Sequence, residues 1–273
     1  MYEAFWKLDE KPFENTWDDR YFYPSEVHQG AMLKLRYVIE NRRPAALLTG
    51  AAGLGKSLLA QRLLTQLDAE FSPQLQLVYP QMPHDQLLAY LANTLRSTPL
   101  NEPTPTIEQS VRTIEDSLQE NVEQGRHAIV LIDEAHLVRD AASLESLRLL
   151  LNFRVRAGPA LTLLLVGQPA ILPLLNHFPS LEEQLAVKCL MRPLSEEETV
   201  SYVVHRVTAA GAERPMFDNE ALGAIHHLSE GIPRRINRLC DLALLIAFAE
   251  EQPLITYEHV DVVSNELVTV QPE

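Results

Sequence analysis

The sequence predicts an α/β fold, a parallel sheet with helices on both faces, followed by a small all-helical domain. Three observations carry that expectation. The apolar run Ala45–Leu48 leads through the glycine loop Gly50–Ser57 into the helical pattern Leu58–Leu64. The run Ala128–Ile132 ends in Asp133 and Glu134, as a central strand buried on both faces would with acids at its C-terminal edge. From Pro193 onward strand patterns stop and capped helices follow.

The first of these is the most specific. Gly50-Ala51-Ala52-Gly53-Leu54-Gly55-Lys56-Ser57 fits the pattern G-x-x-x-x-G-K-[ST]. Glycines let consecutive backbone N–H groups turn inward, and the following helix adds the positive end of its dipole, including the N–H of Leu58. Lys56 then reaches terminal phosphates and the Ser57 hydroxyl holds Mg²⁺. A plain glycine turn would need neither the lysine nor the hydroxyl.

In chain order, residues 1–23 hold eight of the eighteen aromatics, including Tyr2, Phe5, Trp6, Phe13, Trp17 and Tyr21. They read as an arm packing on the domain behind it, part of it covering an adenine ring. Residues 25–40 form a helix with Met32, Leu35, Val38 and Ile39 on one side. Strands follow at 45–49 and 75–78, with helices at 56–67, 84–95 and 107–124. The prolines of 97–106 make that stretch an exposed loop. A helix over 144–153 precedes the strand Leu161–Val166, which ends in Gly167-Gln168-Pro169, and 185–191 is the fifth strand. Open α/β sheets bind ligands outside the carboxyl ends of their strands. That places Asp133 near the Mg²⁺ held by Ser57, Glu134 at the attacking water, and the Gln168 amide at the same edge.

Ser195 and Glu198 then form a capping box. Helices span 195–210, 219–229, 233–250 and 257–267, with Gly231 ending one and Pro233 opening the next. The organisation expected is an arm and helix over 1–43 packing on the core, a nucleotide-binding domain over 44–193, and a helical lid over 194–273.

Composition excludes several classes. The net charge is −14, which gives no global attraction to DNA phosphates. Cys189 and Cys240 lack metal-type spacing and read as reduced core thiols. His226-His227 reads as helix surface. The N-terminus lacks a signal-peptide pattern and no apolar run has transmembrane length, which predicts a cytoplasmic protein.

These motifs, with Gly231-Ile232-Pro233-Arg234-Arg235-Ile236-Asn237 in the helical part, together resemble a P-loop NTPase of the AAA+ class. The opening Phe5-Trp6-Lys7-Leu8, Ile132-Asp133-Glu134-Ala135-His136-Leu137 and Leu165-Val166-Gly167-Gln168-Pro169 are similar to the general secretion pathway protein A and MshM type. The resemblance spans nearly the whole chain. It implies Gly50–Ser57 as Walker A, Asp133 and Glu134 as Walker B, Gln168 as sensor 1, and Arg234 as the sensor-2 arginine that brings the lid onto the γ-phosphate.

Two positions depart from the family. Leu54 stands where relatives carry Thr, with little effect expected because that position acts through its backbone. Gln184 stands where the arginine that reaches a neighbour's nucleotide is expected. An arginine finger contributes on the order of 10³–10⁵ in rate. Either Arg154, Arg156 or Arg192 substitutes, or hydrolysis is slow and the chain acts mainly as a nucleotide-dependent switch.

The resemblance therefore implies an ATP·Mg²⁺-binding homo-oligomer that drives or switches assembly of a secretion or pilus apparatus. It would work beside a membrane-bound partner, peripheral to the inner membrane. Relatives continue into a membrane helix and a peptidoglycan-binding region, so the chain reads as a shorter form or an excised domain. The alternative is an ATP-dependent DNA-binding transposition regulator of the TniB/TnsC type, which the net charge disfavours. Asp133-Glu134-Ala135-His136 also spells a helicase DEAH box, but there is no room for a second RecA-like domain, and His136 reads as structural.

Overall fold

The computed structural model describes residues 1–16, 18–96, 105–138, 140–155 and 158–269, with side chains through Glu266. Trp17, Arg156 and most of the expected proline-rich loop lie outside them. The strands are β1 (Ala45–Thr49), β2 (Gln74–Leu77), β3 (Ala128–Ile132), β4 (Arg154–Val155), β5 (Gly158–Pro159), β6 (Leu161–Gly167) and β7 (Leu185–Leu190). The helices begin with α1 (Glu3–Trp6), α2 (Glu26–Glu40), α3 (Lys56–Thr65), α4 (His84–Arg96), α5 (Ile107–Glu123) and α6 (Ala141–Leu150). They continue with α7 (Ile171–Asn176), α8 (Pro179–Glu182), α9 (Glu196–Ala209), α10 (Asn219–Ser229), α11 (Pro233–Ala249) and α12 (Tyr257–Thr269). Two compact units result. One comprises residues 28–52 and 56–191, the other residues 1–27, 53–55 and 192–273.

The first unit is built on a five-stranded parallel sheet of order β2-β3-β6-β1-β7. Strand residues point alternately to opposite faces, so continuous apolar runs such as those of β1, β3 and β6 demand cover on both sides. On one face Ala45, Leu47, Val130, Ile132, Leu163 and Leu165 share a core with Leu87 and Leu91 of α4, Ile114 of α5 and Leu144 of α6. Ala46, Leu48, Ile129, Leu131, Leu164 and Val166 of the other face are buried as well. Each fully buried leucine or isoleucine contributes roughly 1.5–3 kcal/mol. The α/β parallel-sheet class read from the sequence is the one observed.

The register matters for function. β6 pairs with β1 as Thr49↔Gly167 and with β3 as Ile132↔Leu165, so three adjacent strands end at one edge. α6 begins three residues earlier than its apolar pattern suggested, because Asp140 caps it and accepts the Ala142 N–H at 3.1 Å. The β4–β5 hairpin and the short helices α7 and α8 were not anticipated.

In the second unit α9, α10, α11 and α12 surround an apolar core. The Ser195 hydroxyl accepts the Glu198 N–H at 3.2 Å while the Glu198 carboxylate accepts the Ser195 N–H at 2.9 Å, the capping box read from sequence. Gly231 follows α10 at φ 68°, and Pro233 opens α11. A Cβ on Gly231 would lie 2.1 Å from the Leu194 carbonyl oxygen, so only glycine lets those backbones meet.

The aromatic arm corrects the expected organisation. Tyr2, Trp6, Leu8, Phe13 and Tyr21 belong to the core of the helical unit, not to that of the sheet unit. Trp6 Nε1 donates to the Leu244 carbonyl at 3.2 Å, and the Tyr2 hydroxyl donates to Asp241. Buried Arg206 donates to the carbonyls of Pro12 and Glu14, both at 2.6 Å, and its guanidinium lies 4.6 Å from the Tyr21 ring centroid. The physical reason is complementarity: the arm presents bare carbonyls and aromatic faces, and α9 supplies a buried cation that satisfies both. These arm aromatics are thus occupied by helical-unit packing rather than by an adenine ring.

Candidate functional site

β1 ends at Thr49 and the chain turns through residues 50–55 into α3. Gly53 and Gly55 have φ of 84° and 83°, values that L side chains rarely adopt, so the loop needs glycine at both. Ala51 and Ala52 are exposed and Ser57 and Leu58 are half-buried. The Gly50 N–H donates to the Gly167 carbonyl at 3.3 Å, tying the loop's start to the end of β6. Lys56 is buried, and its Nζ donates to the Ala51 carbonyl at 2.8 Å. The ammonium is thereby folded back over the loop, where a phosphate oxygen could replace that carbonyl. Leu54 departs from expectation: its side chain is 1% exposed, so it packs as well as lending its backbone.

Asp133 follows β3, is 7% exposed, and its Oδ1 accepts the Glu134 N–H at 2.8 Å. Its other oxygen makes no hydrogen bond among the described residues, and neither does the Ser57 hydroxyl. Both are hard oxygen donors of the kind that hold Mg²⁺ beside its waters, so the residues fit that ion. Glu134 sits in the left-handed region at φ 49°, a backbone state costing a non-glycine residue roughly 1–2 kcal/mol. The turn that imposes it is the 3₁₀ segment Ala135–Leu137, closed by the Leu137 N–H donating to the Glu134 carbonyl at 2.8 Å. The carboxylate is left partly open, with Oε2 buried and without a hydrogen-bond donor.

Gln168 follows β6 with its side-chain amide free of hydrogen bonds among the described residues, and its N–H donates to His136 Nδ1 at 3.3 Å. The walls of the sheet edge therefore come from the ends of β1, β6 and β3, which carry Lys56 and Ser57, Gln168, and Asp133 and Glu134 respectively. Sequence reasoning treated His136 as structural. Its contact with both Gln168 and Glu134 had no sequence signal beyond the spacing of Asp133-Glu134-Ala135-His136.

Arg234 belongs with Gly53–Gly55 in the helical unit. Within that unit its N–H donates to the Gly53 carbonyl at 3.3 Å, and a Cβ on Gly53 would lie 2.9 Å from the Arg234 Cβ. Its side chain is exposed and makes no hydrogen bond or ion pair among the described residues. Arg235 beside it is engaged with Glu230 at 2.6 Å. Of the arginines considered for a neighbour's nucleotide, Arg192 is held by Glu198 at 2.6 Å and Glu26 at 3.5 Å. Arg154 on β4 is exposed. Gln184 closes the turn after α8, its N–H donating to the Leu181 carbonyl at 3.1 Å.

Residues 39–175 match the family described as the AAA domain. The chain belongs to the AAA+ family. Within it, the chain is similar to general secretion pathway protein A, the type that the motifs implied. The protein of that name from Aeromonas hydrophila is 32% identical over 276 residues, covering all of this chain and 50% of that protein. The chain thus spans about half the length of this curated relative. Among solved structures, Cdc6p from Pyrobaculum aerophilum superimposes with a TM-score of 0.74 at 15% identity, covering 97% of this chain and 75% of that one. The Aeropyrum pernix ORC2 protein, in ADPNP–ADP complexes, gives 0.71 at 16% identity over 97% and 73%. At such identities the likeness is one of fold. Membership of this P-loop family carries nucleotide binding and, in general, ATPase activity. Among the described residues no helix is long and apolar enough to cross a membrane.

Proposed function

We propose that this AAA+ protein binds ATP·Mg²⁺ on the loop Gly50–Ser57 and hydrolyses it slowly, using the nucleotide state to drive or switch assembly of a secretion or pilus apparatus. The observation that carries the reading is the sheet order. It sets the ends of β1, β6 and β3 side by side, so that a phosphate loop, an amide and two carboxylates share one edge. Lys56 and the loop N–H groups hold the terminal phosphates. Ser57, with Asp133 through water, holds Mg²⁺, which supplies charge neutralisation at the phosphates. Glu134 orients the attacking water and takes its proton, while Gln168 faces the γ-phosphate. Arg234, at the start of α11 and bonded to Gly53, reports the γ-phosphate to the helical unit.

Turnover is limited because Gln184 offers no charge to a neighbour's nucleotide. Arg192 is neutralised by two carboxylates, so of the two described candidates Arg154 is the one left to act in trans. The secretion role rests on the relative from Aeromonas hydrophila, and with it a membrane-bound partner and a peripheral place at the inner membrane. A nucleotide-dependent homo-oligomer is part of the same reading, and light scattering with and without ATP·Mg²⁺ reads it directly. The assignment of the site is tested by calorimetric titration with ATP of the native chain and Lys56→Ala. Loss of the binding isotherm in the variant is expected, and an unchanged isotherm refutes the phosphate-loop assignment.

A further inference from the structure

We propose that His136 is a positioning residue for hydrolysis, coupling the peptide of Gln168 to the carboxylate of Glu134. The inference rests on the reading of Glu134 as the base and adds a third group to it.

The imidazole Nδ1 occupies a shared corner. It accepts the Gln168 N–H at 3.3 Å and lies 3.4 Å from Glu134 Oε2. A nitrogen that accepts a hydrogen bond carries no proton, so the neutral ring has its hydrogen on Nε2. Nδ1 therefore offers the carboxylate no donor, its one lone pair being taken by the Gln168 N–H. Two acceptors facing each other make no bond, which accounts for Oε2 being buried and unpartnered. A buried carboxylate oxygen without a donor is unfavourable, and a water molecule delivered to the sheet edge would relieve that cost. The ring thus bounds the carboxylate by shape while leaving Oε2 without a donor.

The same corner is built into the backbone. Gly167 has no side chain, and a Cβ there would lie 3.1 Å from the His136 backbone nitrogen and 3.4 Å from Nδ1. Glycine at this position lets the turn carrying Glu134 and His136 press against the end of β6. The left-handed backbone of Glu134 aims its side chain from that turn. A shift of the Gln168 peptide would move the ring, and the ring bounds the carboxylate. Gln168 and Glu134 are thereby linked by one side chain.

The test compares ATP affinity and single-turnover rate in the full chain for His136→Ala, His136→Asn, Gly167→Ala and Glu134→Gln. An asparagine Oδ1 can stand where Nδ1 accepts the Gln168 N–H, whereas alanine cannot. We expect His136→Ala to hold ATP as tightly as the native chain yet turn over about ten- to a hundredfold more slowly, the scale of a misplaced reacting group. His136→Asn should recover most of that loss, and Gly167→Ala should be slowed with its affinity kept. Native rates in His136→Ala, or an asparagine variant no faster than the alanine one, overturn the coupling while Glu134→Gln remains inactive. A loss of affinity with the rate unchanged also overturns it, because the ring would then only support the fold. Normal turnover in Glu134→Gln instead removes the base assignment, and this proposal falls with it.

Discussion

Acid should destabilise the sheet unit through one histidine. His127 precedes β3 and is fully buried. The Thr162 hydroxyl donates its hydrogen to the Arg43 carbonyl at 2.7 Å, so toward His127 Nε2, 2.9 Å away, it can only accept. The proton therefore sits on Nε2, and Nδ1 is left buried with no partner. A second proton would have to go on Nδ1, with nothing to receive its hydrogen bond. Burial, and then the Arg42 charge, accordingly push the pKa down to about 4. The ordinary value is about 6.5, and a difference of ~2.5 units at ~1.4 kcal/mol each makes about 3 kcal/mol. Above pH ~6.5 neither state is protonated and that stability is present in full. As pH falls from ~6.5 toward ~4 the unfolded chain takes up a proton that the fold refuses, and ~2 kcal/mol is lost by pH ~5. His127→Gln keeps an N–H for Thr162 and removes the titration. Urea unfolding followed by far-ultraviolet circular dichroism at pH 7 and pH 5 should show the native chain losing ~2 kcal/mol more than the variant over that interval. Carboxylates common to both chains cancel in the comparison. Parallel losses in the two chains would refute the assignment of a buried neutral imidazole.

Two further outcomes are expected. Gly231→Ala and Gly125→Ala both place a side chain at positive φ, 68° and 77°, but only Gly231 has a backbone oxygen in the way. Thermal melts should show a loss of about 1 kcal/mol for Gly125→Ala and a clearly larger one for Gly231→Ala; equal shifts would mean the Leu194 backbone yields freely. Gln184→Arg should raise steady-state phosphate release by at least about tenfold if a missing trans cation limits turnover. An unchanged rate assigns that role to another arginine, with Arg154→Ala as the next measurement.

The sheet was legible because its central strands are continuous apolar runs. Ala45–Leu48, Ala128–Ile132 and Leu161–Val166 bury both faces, a pattern that a polar helix face cannot imitate. The helical unit was legible through local chemistry, in the reciprocal Ser195–Glu198 cap and the Gly231–Pro233 break. Helices α7 and α8 were missed because six and four residues are too few to establish a period. The placement of the candidate site residues was legible where a motif follows a strand, as with Lys56 and Ser57 after β1 and Asp133 and Glu134 after β3. His136 was not, because its role depends on Gly167 having no side chain more than thirty positions away. The docking of the aromatic arm was unreadable for a related reason. Eight aromatics announce burial but give no address, and the address is the buried guanidinium of Arg206.

That arm has a consequence for how the protein is made. Trp6 and its acceptor Leu244 are 238 positions apart, and Pro12 waits 194 positions for its contact with Arg206. A ribosome releases residues 1–27 long before α9–α12 exist, while the sheet unit, complete by Met191, can fold in between. Until then Tyr2, Trp6, Phe13 and Tyr21 are exposed apolar surface with no core to enter. Buried Trp6 would also report the docking of residues 1–27 with α9–α12 through a change in its fluorescence.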